Sequence, residues 1–170
     1  MVLRHAKSDW PPGVPDDERP LSGRGRRDAK AAGAWLAAND LLPDAVLCSP
    51  AARTRETWAR LVTGLESVTK AGDLVPEPSY EDAIYEASVA SLTGVLRAVD
   101  DKATTVLLVG HNPGVHELVL DLADQSDEKA RVLAGASYPT SGLAVLKVSG
   151  PWSKLSRGSA ELLEFAVPRG

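Results

Sequence analysis

Arginine and histidine follow three apolar runs of this 170-residue chain, where each run breaks into a loop. The pair Arg4-His5 follows the first run, and residues 49–53 and 109–113 contain the other two breaks. In a parallel α/β sheet, the loops after the carboxyl ends of the strands meet in one crevice, where ligands bind. The pattern therefore predicts two arginines and two histidines in a single site, a set that suits a phosphoryl group.

Each of these four side chains has a role in phosphoryl chemistry. Arg4 and Arg53 are predicted to bind phosphoryl oxygens, because a guanidinium is always ionised and its donor fork matches them. The neutral imidazole of His5 can attack phosphorus and form a phosphohistidine intermediate. His111 would donate a hydrogen bond to a non-bridging oxygen and stabilise the transition state. We predict His5, Arg4, Arg53 and His111 as catalytic residues, the last three also as phosphate-binding residues.

The elements that must position these residues follow from the apolar periodicity. Helical and strand patterns alternate, and the unbroken apolar run at 104–110 is typical of a central parallel strand. We predict one three-layer α/β/α domain over residues 1–170, with a mainly parallel sheet and an antiparallel edge strand near the C-terminus. The predicted helices cover residues 23–39, 50–65, 89–99 and 114–123, and the predicted strands cover 1–3, 45–48, 73–75, 104–110, 143–148 and 162–167.

Composition excludes several other classes of protein. With 44% apolar and 25% charged residues the chain is typical of globular proteins, and a net charge of −4 argues against a nucleic-acid binder. No apolar stretch is long enough to span a membrane, and Cys48 has no second cysteine to pair with, so we expect a cytoplasmic protein. The first strand is shorter than the usual length of about five residues, so we expect either that the natural chain begins upstream of Met1 or that this edge of the site is held loosely.

Longer motifs surround the predicted site residues. Arg-His-Ala-Lys-Ser at 4–8, Ser-Pro-x-x-Arg-x-x-x-Thr at 49–57 and Gly-His-Asn-Pro at 110–113 closely resemble the histidine phosphatase superfamily. Within it, Arg-His-Ala-Lys-Ser-Asp-Trp at 4–10 and Arg-Pro-Leu-Ser at 19–22 resemble the SixA-like phosphohistidine phosphatase branch. The resemblance extends from the first residue to about Leu120.

This resemblance implies a phosphoglycerate mutase-like fold and a phosphohydrolase that uses no metal and no cofactor. His5 would be its nucleophile, and Arg4, Arg53 and His111 would complete the phosphate pocket. Ala6 stands where most of the superfamily has glycine, which is usual for the SixA-like branch. The implied partner is a phosphorylated protein or a small phosphorylated metabolite, and neither nucleic acid nor a membrane is expected.

The proton donor is the part of the site that the sequence leaves open. An alkoxide leaving group needs a general acid, and many superfamily members supply a carboxyl group from the region before the third long helix. Residues 81–86 offer Asp82 and Glu86 as possible general acids, although a solvated acidic stretch explains this segment equally well. A phosphoramidate leaving group needs less help, and the SixA-like branch often lacks a clear acid.

Other functions also remain open. One is a phosphatase of small phosphomonoesters, and another is a catalytically idle, phospho-binding regulatory protein. A metal-dependent hydrolase using His5, His111, His116 and an aspartate is weaker, because no two of these histidines have the spacing of helical metal ligands. We expect Arg19 to be a solvated surface residue and Trp10 to pack in the core or anchor a loop.

Overall fold

The protein is described by a computed structural model that covers residues 1–67, 75–124 and 128–170. Within these ranges, three single turns of 3-10 helix accompany the regular elements, at Asp16–Glu18, Asp82–Ile84 and Trp152–Lys154. The strands and helices are, in chain order, β1 (Val2–Arg4), α1 (Gly23–Ala38), β2 (Ala45–Cys48), α2 (Ala52–Glu66), β3 (Ser79–Tyr80), α3 (Val89–Arg97), β4 (Val106–Gly110), α4 (Gly114–Leu122), α5 (Glu128–Ala134), β5 (Leu143–Val148) and β6 (Ala160–Ala166).

These strands form one sheet in the order β3-β2-β4-β1-β5-β6. The pairs β2–β3, β2–β4 and β1–β4 are parallel, whereas β5 runs antiparallel to both β1 and β6. The predicted fold class is therefore confirmed, including the antiparallel strands near the C-terminus. None of the helices in the described ranges is long and apolar enough to cross a membrane.

Alternate residues of β4 contact opposite helical layers, because successive side chains of a strand point to opposite faces. Leu107 and Val109 belong to an apolar core with Leu36 of α1 and Leu61 of α2. Leu108 belongs to a second core, formed with residues of α3 and α4. The sheet thus lies between two helical layers, as the unbroken apolar run predicts.

Two glycines allow the backbones of α1 and α2 to approach closely. A Cβ atom on Gly33 would lie 2.0 Å from the carbonyl oxygen of Leu61, and one on Gly64 would lie 2.0 Å from that of Lys30. No side chain fits at either position without moving a helix. This contact fixes α2 against α1, and α2 carries Arg53 in its first turn.

The three residues of β1 suffice to hold the Arg4-His5 pair, because β1 is a central strand with a neighbour on each side. The Arg4 N–H donates to the carbonyl of Gly142 at 2.9 Å, and the His5 N–H donates to that of Gly110 at 3.0 Å. Since β2, β4 and β1 are adjacent in the sheet, their carboxyl ends bring the three predicted loops together.

Several boundaries differ from the prediction. Strand β4 begins at Val106 instead of 104, because the Asp44 carboxylate accepts the N–H groups of Thr104 and Thr105 before the strand starts. Residues 73–74 of the strand predicted at 73–75 lie outside the described residues, and β3 is instead formed by Ser79–Tyr80. Helix α5 was not predicted, and β6 begins two residues earlier than expected.

Candidate active site

The His5 side chain is buried and held in one tautomer. Its Nδ1 atom lies 2.8 Å from the carbonyl oxygen of Ala6. Because a carbonyl oxygen only accepts, Nδ1 carries the proton and Nε2 keeps its lone pair. Burial lowers the pKa of His5 to about 4, and the charges of Arg53 and Arg4 add to this effect against the opposing bond to Ala6. At neutral pH the imidazole is therefore uncharged, as a nucleophile must be.

His111 lies beside His5, with 5.2 Å between the ring centroids. Its Nε2 atom is 2.8 Å from the Ser49 hydroxyl oxygen, which comes from the second predicted loop, at residues 49–53. The Nδ1 atom is buried and has no partner in the described structure. When Ser49 donates to Nε2, Nδ1 carries a proton that a ligand oxygen can accept. Burial, together with the charges of His5 and Arg53, lowers the pKa of His111 to about 3.

Both predicted arginines approach the two histidines. Arg53 is nearly buried, and the charges of Arg53 and Arg4 lower the pKa values of both His5 and His111. Arg4 donates from Nη1 to the carbonyl of Tyr138 at 2.7 Å, while its buried Nε has no partner among the described atoms. The structure thus brings together all four side chains that the sequence singled out.

Thr57 connects the His5 loop to α2. The N–H of Ala6 donates to the Thr57 hydroxyl oxygen at 3.0 Å, and that hydroxyl donates to the carbonyl of Arg53 at 2.6 Å. Residues four apart on a helix lie on the same face, which is why Arg53 and Thr57 both reach this side of the site. The connection fixes the spacing between the predicted nucleophile and the predicted phosphate-binding arginine.

Asp16 occupies a position that sequence reasoning missed. Its Oδ2 atom lies 2.8 Å from Nη2 of Arg53 and accepts the Tyr85 hydroxyl at 2.8 Å, and its Oδ1 lies 2.8 Å from Nη1 of Arg19. Its backbone carbonyl accepts Nη1 of Arg53. The hydrogen bond from Arg19, followed by those from Tyr85 and Arg53, holds the pKa of Asp16 well below its usual range. The only sequence signal for Asp16 was its place shortly after the Arg4-His5 pair.

Tyr85 completes the contacts around Asp16. The edge of its ring meets His111, with 5.4 Å between the centroids, and the Arg53 guanidinium lies 5.8 Å from the ring centroid. Accepting this hydrogen bond, the Asp16 carboxylate raises the pKa of Tyr85, so the phenol stays protonated. Tyr85 lies in the acidic segment 81–86, but nothing in the sequence of that segment predicts its hydrogen bond to Asp16.

The expected surface role of Arg19 is wrong. Arg19 is 7% exposed and donates to the Ser8 hydroxyl at 2.8 Å and to the Asp9 carbonyl at 3.0 Å. Its Cζ atom lies 3.1 Å from the ring centroid of Trp10. Trp10 in turn is 73% exposed, so of the two roles expected for this residue, core packing is wrong. Arg19 thus lies between Trp10 and Asp16 and contacts both.

The two possible general acids lie in different surroundings. Glu86 borders a pocket of about 540 Å³ that Asp16, Arg53 and His111 also line. Asp82 is exposed on its 3-10 turn and is not among the residues that line this pocket. The structure therefore brings Glu86, but not Asp82, to the site.

His116 lies apart from the other two histidines. Its Nε2 atom is 3.2 Å from the Leu133 carbonyl, and its ring packs against Tyr138. Over residues 1–67, 75–124 and 128–170, no three His, Cys, Asp or Glu side chains are arranged to hold a metal ion. The three-histidine grouping considered from the sequence does not form.

Known proteins share this fold and these motifs. A family model described as histidine phosphatase superfamily (branch 1) matches residues 1–75. A SixA structure from Nakamurella multipartitia is 31% identical, with 98% of this chain and 95% of that one covered and a TM-score of 0.82. A SixA structure from Agrobacterium tumefaciens is 27% identical, with coverages of 98% and 96% and a TM-score of 0.79.

A Mycobacterium tuberculosis protein is also 41% identical to this chain over 169 residues, which is 98% of this chain and 100% of that protein. With the three-layer fold and the shared motifs, these similarities define the class of protein: the chain belongs to the histidine phosphatase superfamily and is a phosphatase. Within the superfamily it belongs to the SixA-like branch.

Proposed function

We propose that this phosphatase hydrolyses phosphohistidine on proteins through a covalent intermediate on His5. The observation that carries the proposal is the buried, neutral His5 imidazole, whose Nδ1 is bound to the Ala6 carbonyl and whose Nε2 is free to attack. Arg4, Arg53 and His111 lie near it with donors for phosphoryl oxygens. The membership in the SixA-like branch supports the same substrate class.

The first step transfers the phosphoryl group to His5. Nε2 forms a bond to phosphorus while the bond from phosphorus to the substrate nitrogen breaks, and that nitrogen takes the electron pair. Charge on the three equatorial oxygens is stabilised by Arg4, Arg53 and the Nδ1–H of His111. In the second step water attacks phosphorus, inorganic phosphate leaves, and Nε2 of His5 recovers its lone pair.

The state of the Asp16 carboxyl group favours a nitrogen leaving group. Asp16, which contacts Arg53 directly, is held ionised and has no proton to donate. An alkoxide would need such a proton, whereas the imidazole of phosphohistidine carries one on its second ring nitrogen and leaves as a neutral group. We infer that the enzyme prefers phosphohistidine to alkyl phosphomonoesters.

A comparison of substrates tests this function. We expect kcat/KM for a phosphohistidine peptide to exceed that for sugar phosphates by about 100-fold, since general acid catalysis typically contributes at least that much and the ionised Asp16 does not supply it. EDTA should leave this ratio unchanged. A higher kcat/KM for sugar phosphates would instead identify a phosphatase of small phosphomonoesters. Phosphate binding without any turnover would identify a regulatory binding protein.

The low pKa of His5 predicts an unusual pH dependence. Hydrolysis needs the unprotonated imidazole, so kcat/KM should hold between pH 7 and 5 and fall only as the pH drops through about 4. An unshifted histidine would lose activity near its ordinary value of about 6.5. The measurement is kcat/KM against pH for phosphoramidate, corrected for the ionisation of that substrate.

Unfolding in acid must be measured alongside this profile. His5 and His111 have lower pKa values in the folded protein than in the unfolded chain, so below about pH 6.5 the unfolded chain binds protons that the folded protein does not. The free energy of unfolding therefore falls as the pH drops towards the folded pKa values. Circular dichroism at each pH separates unfolding from protonation of His5. A midpoint near 6.5 in a folded enzyme would contradict the predicted environment of His5.

A further inference from the structure

Trp10 is a large aromatic side chain whose exposure does not serve folding. It is 73% exposed, although burying an indole would stabilise the fold. One face of its ring lies against the Arg19 guanidinium, at 3.1 Å from Cζ to the centroid. Hydrogen bonds to Ser8, Asp9 and Asp16 fix that guanidinium in place. The indole is therefore held in one orientation with much of its surface open to solvent.

This indole lies at the rim of the phosphatase site. Arg19, beneath the ring, also contacts the Asp16 carboxylate, and the same carboxylate contacts Arg53. The charge of Arg19 is close enough to contribute to the lowered pKa of His5. Arg19 and Asp16 thus lie between Trp10 and Arg53, a placement that suits contact with the molecule that carries the phosphoryl group.

The segment that carries Trp10 is also stiff. Pro11, Pro12 and Pro15 fix their φ angles, and the N–H of Asp9 is bonded to the Pro20 carbonyl at 2.9 Å. A loop that is already ordered loses little conformational entropy when it binds a partner. Trp is also among the residues that most often dominate the energy of protein interfaces.

The rim of the pocket is acidic, whereas its floor is cationic. Residues 9–18 include four acidic residues and no basic one, and Asp17 and Glu18 are exposed. Asp16 of this segment borders the pocket, and so do Glu86 and Glu117, both exposed. Such a rim repels small metabolites that bear several negative charges and attracts a carrier with positive charge beside its phosphoryl group.

We propose that Trp10 determines specificity by binding the polypeptide that carries the phosphohistidine, and that this polypeptide has lysine or arginine beside the phosphorylated residue. The open part of the indole takes an apolar or cationic side chain of the carrier, the latter by a cation–π contact. The proposal rests on the proposed function, since it names the surroundings of the phosphohistidine.

Two phosphohistidine peptides of equal length test the proposal, one with flanking lysines and one with flanking glutamates, beside phosphoramidate as a donor without a carrier. The lysine peptide should have the lower KM, and its KM should rise with salt. In Trp10→Ala, kcat/KM for the lysine peptide should fall about tenfold, mostly through KM, against less than about twofold for phosphoramidate. Trp10→Phe should recover most of the loss, because a ring is restored.

Leu163→Ala provides the matched control. Leu163 is 40% exposed on the outer strand β6, so its removal deletes an exposed apolar side chain far from the rim, and kcat/KM for each substrate should stay at the wild-type value. Equal losses for peptide and phosphoramidate in Trp10→Ala would overturn the proposal, because Trp10 would then act only through Arg19 and the site. A Trp10→Ala enzyme whose kcat/KM for the lysine peptide is unchanged would overturn the proposal as well. A wild-type enzyme that hydrolyses phosphoramidate but neither peptide would refute the proposed function itself.

Discussion

Replacing His5 with alanine is expected to lower kcat for an aryl phosphate by about 10⁴-fold or more, the size of loss seen when a covalent nucleophile is removed. Without Nε2 no phosphoenzyme forms, and the two arginines alone only bind the phosphoryl group. The fold should survive, because β1 is held by backbone hydrogen bonds, and among the described residues the side chain of His5 makes a single hydrogen bond, to Ala6. Far-UV circular dichroism checks this directly.

The phosphoenzyme itself gives a second measurement. Wild-type enzyme quenched during turnover should carry phosphate that is labile in acid and stable in base, as phosphohistidine is, and His5→Ala should carry none. His116→Ala is the matched control, since that histidine lies against Leu133 and Tyr138, apart from the site. Near-native turnover by folded His5→Ala would refute the proposed nucleophile.

Replacing Arg53 with alanine is expected to weaken both phosphate binding and catalysis. Its guanidinium would contact the phosphoryl oxygens in the ground state and more strongly in the transition state, so the inhibition constant of inorganic phosphate should rise and kcat should fall, each by about 10²-fold. Arg53→Lys should recover only part of this loss, because an ammonium cannot reproduce the planar donor fork. Steady-state kinetics with phosphate as inhibitor measures both effects.

Arg55 offers the control for this variant. It lies two residues further along α2 and is exposed, so a helix turns it well away from Arg53. Arg55→Ala should keep the wild-type phosphate affinity and kcat. Equal phosphate affinity in Arg53→Ala and the parent enzyme would show that Arg53 does not bind phosphate, which would contradict the proposed pocket.

In the described structure, the Arg53 guanidinium already donates hydrogen bonds to the carboxylate and to the backbone carbonyl of Asp16. A phosphoryl group that approaches Arg53 must share it with this carboxylate or displace it. The same contact keeps the guanidinium ordered, through the links of Asp16 to Arg19 and Tyr85. We therefore expect Asp16 to act as a positioning residue for Arg53 in the predicted phosphate site.

The sequence by itself determined the order of most of the elements, without α5 and β3, and the meeting of Arg4-His5, Arg53 and His111. Helical and strand periodicity reveals which residues face the core, and Ser22 caps α1 as its residue type predicts. Strand-end loops of a parallel sheet converge whatever their length, so residues far apart in the chain can be assigned to one crevice. The length of β1 does not by itself predict that it holds His5 in place. Its pairing with β4 and β5 on either side does so, and that pairing is a property of the tertiary structure.

Only the tertiary structure decided the surroundings of these residues. Residues 9–20 have no periodicity, and their prolines indicate a loop without indicating its course. The contacts of Asp16 with Arg53 and Tyr85 join positions 37 and 69 residues apart, and they depend on how that loop lies over the end of the sheet. The burial of Arg19 and the exposure of Trp10 follow from the same course. No local pattern encodes it, because the interactions that fix it are between side chains of separate elements.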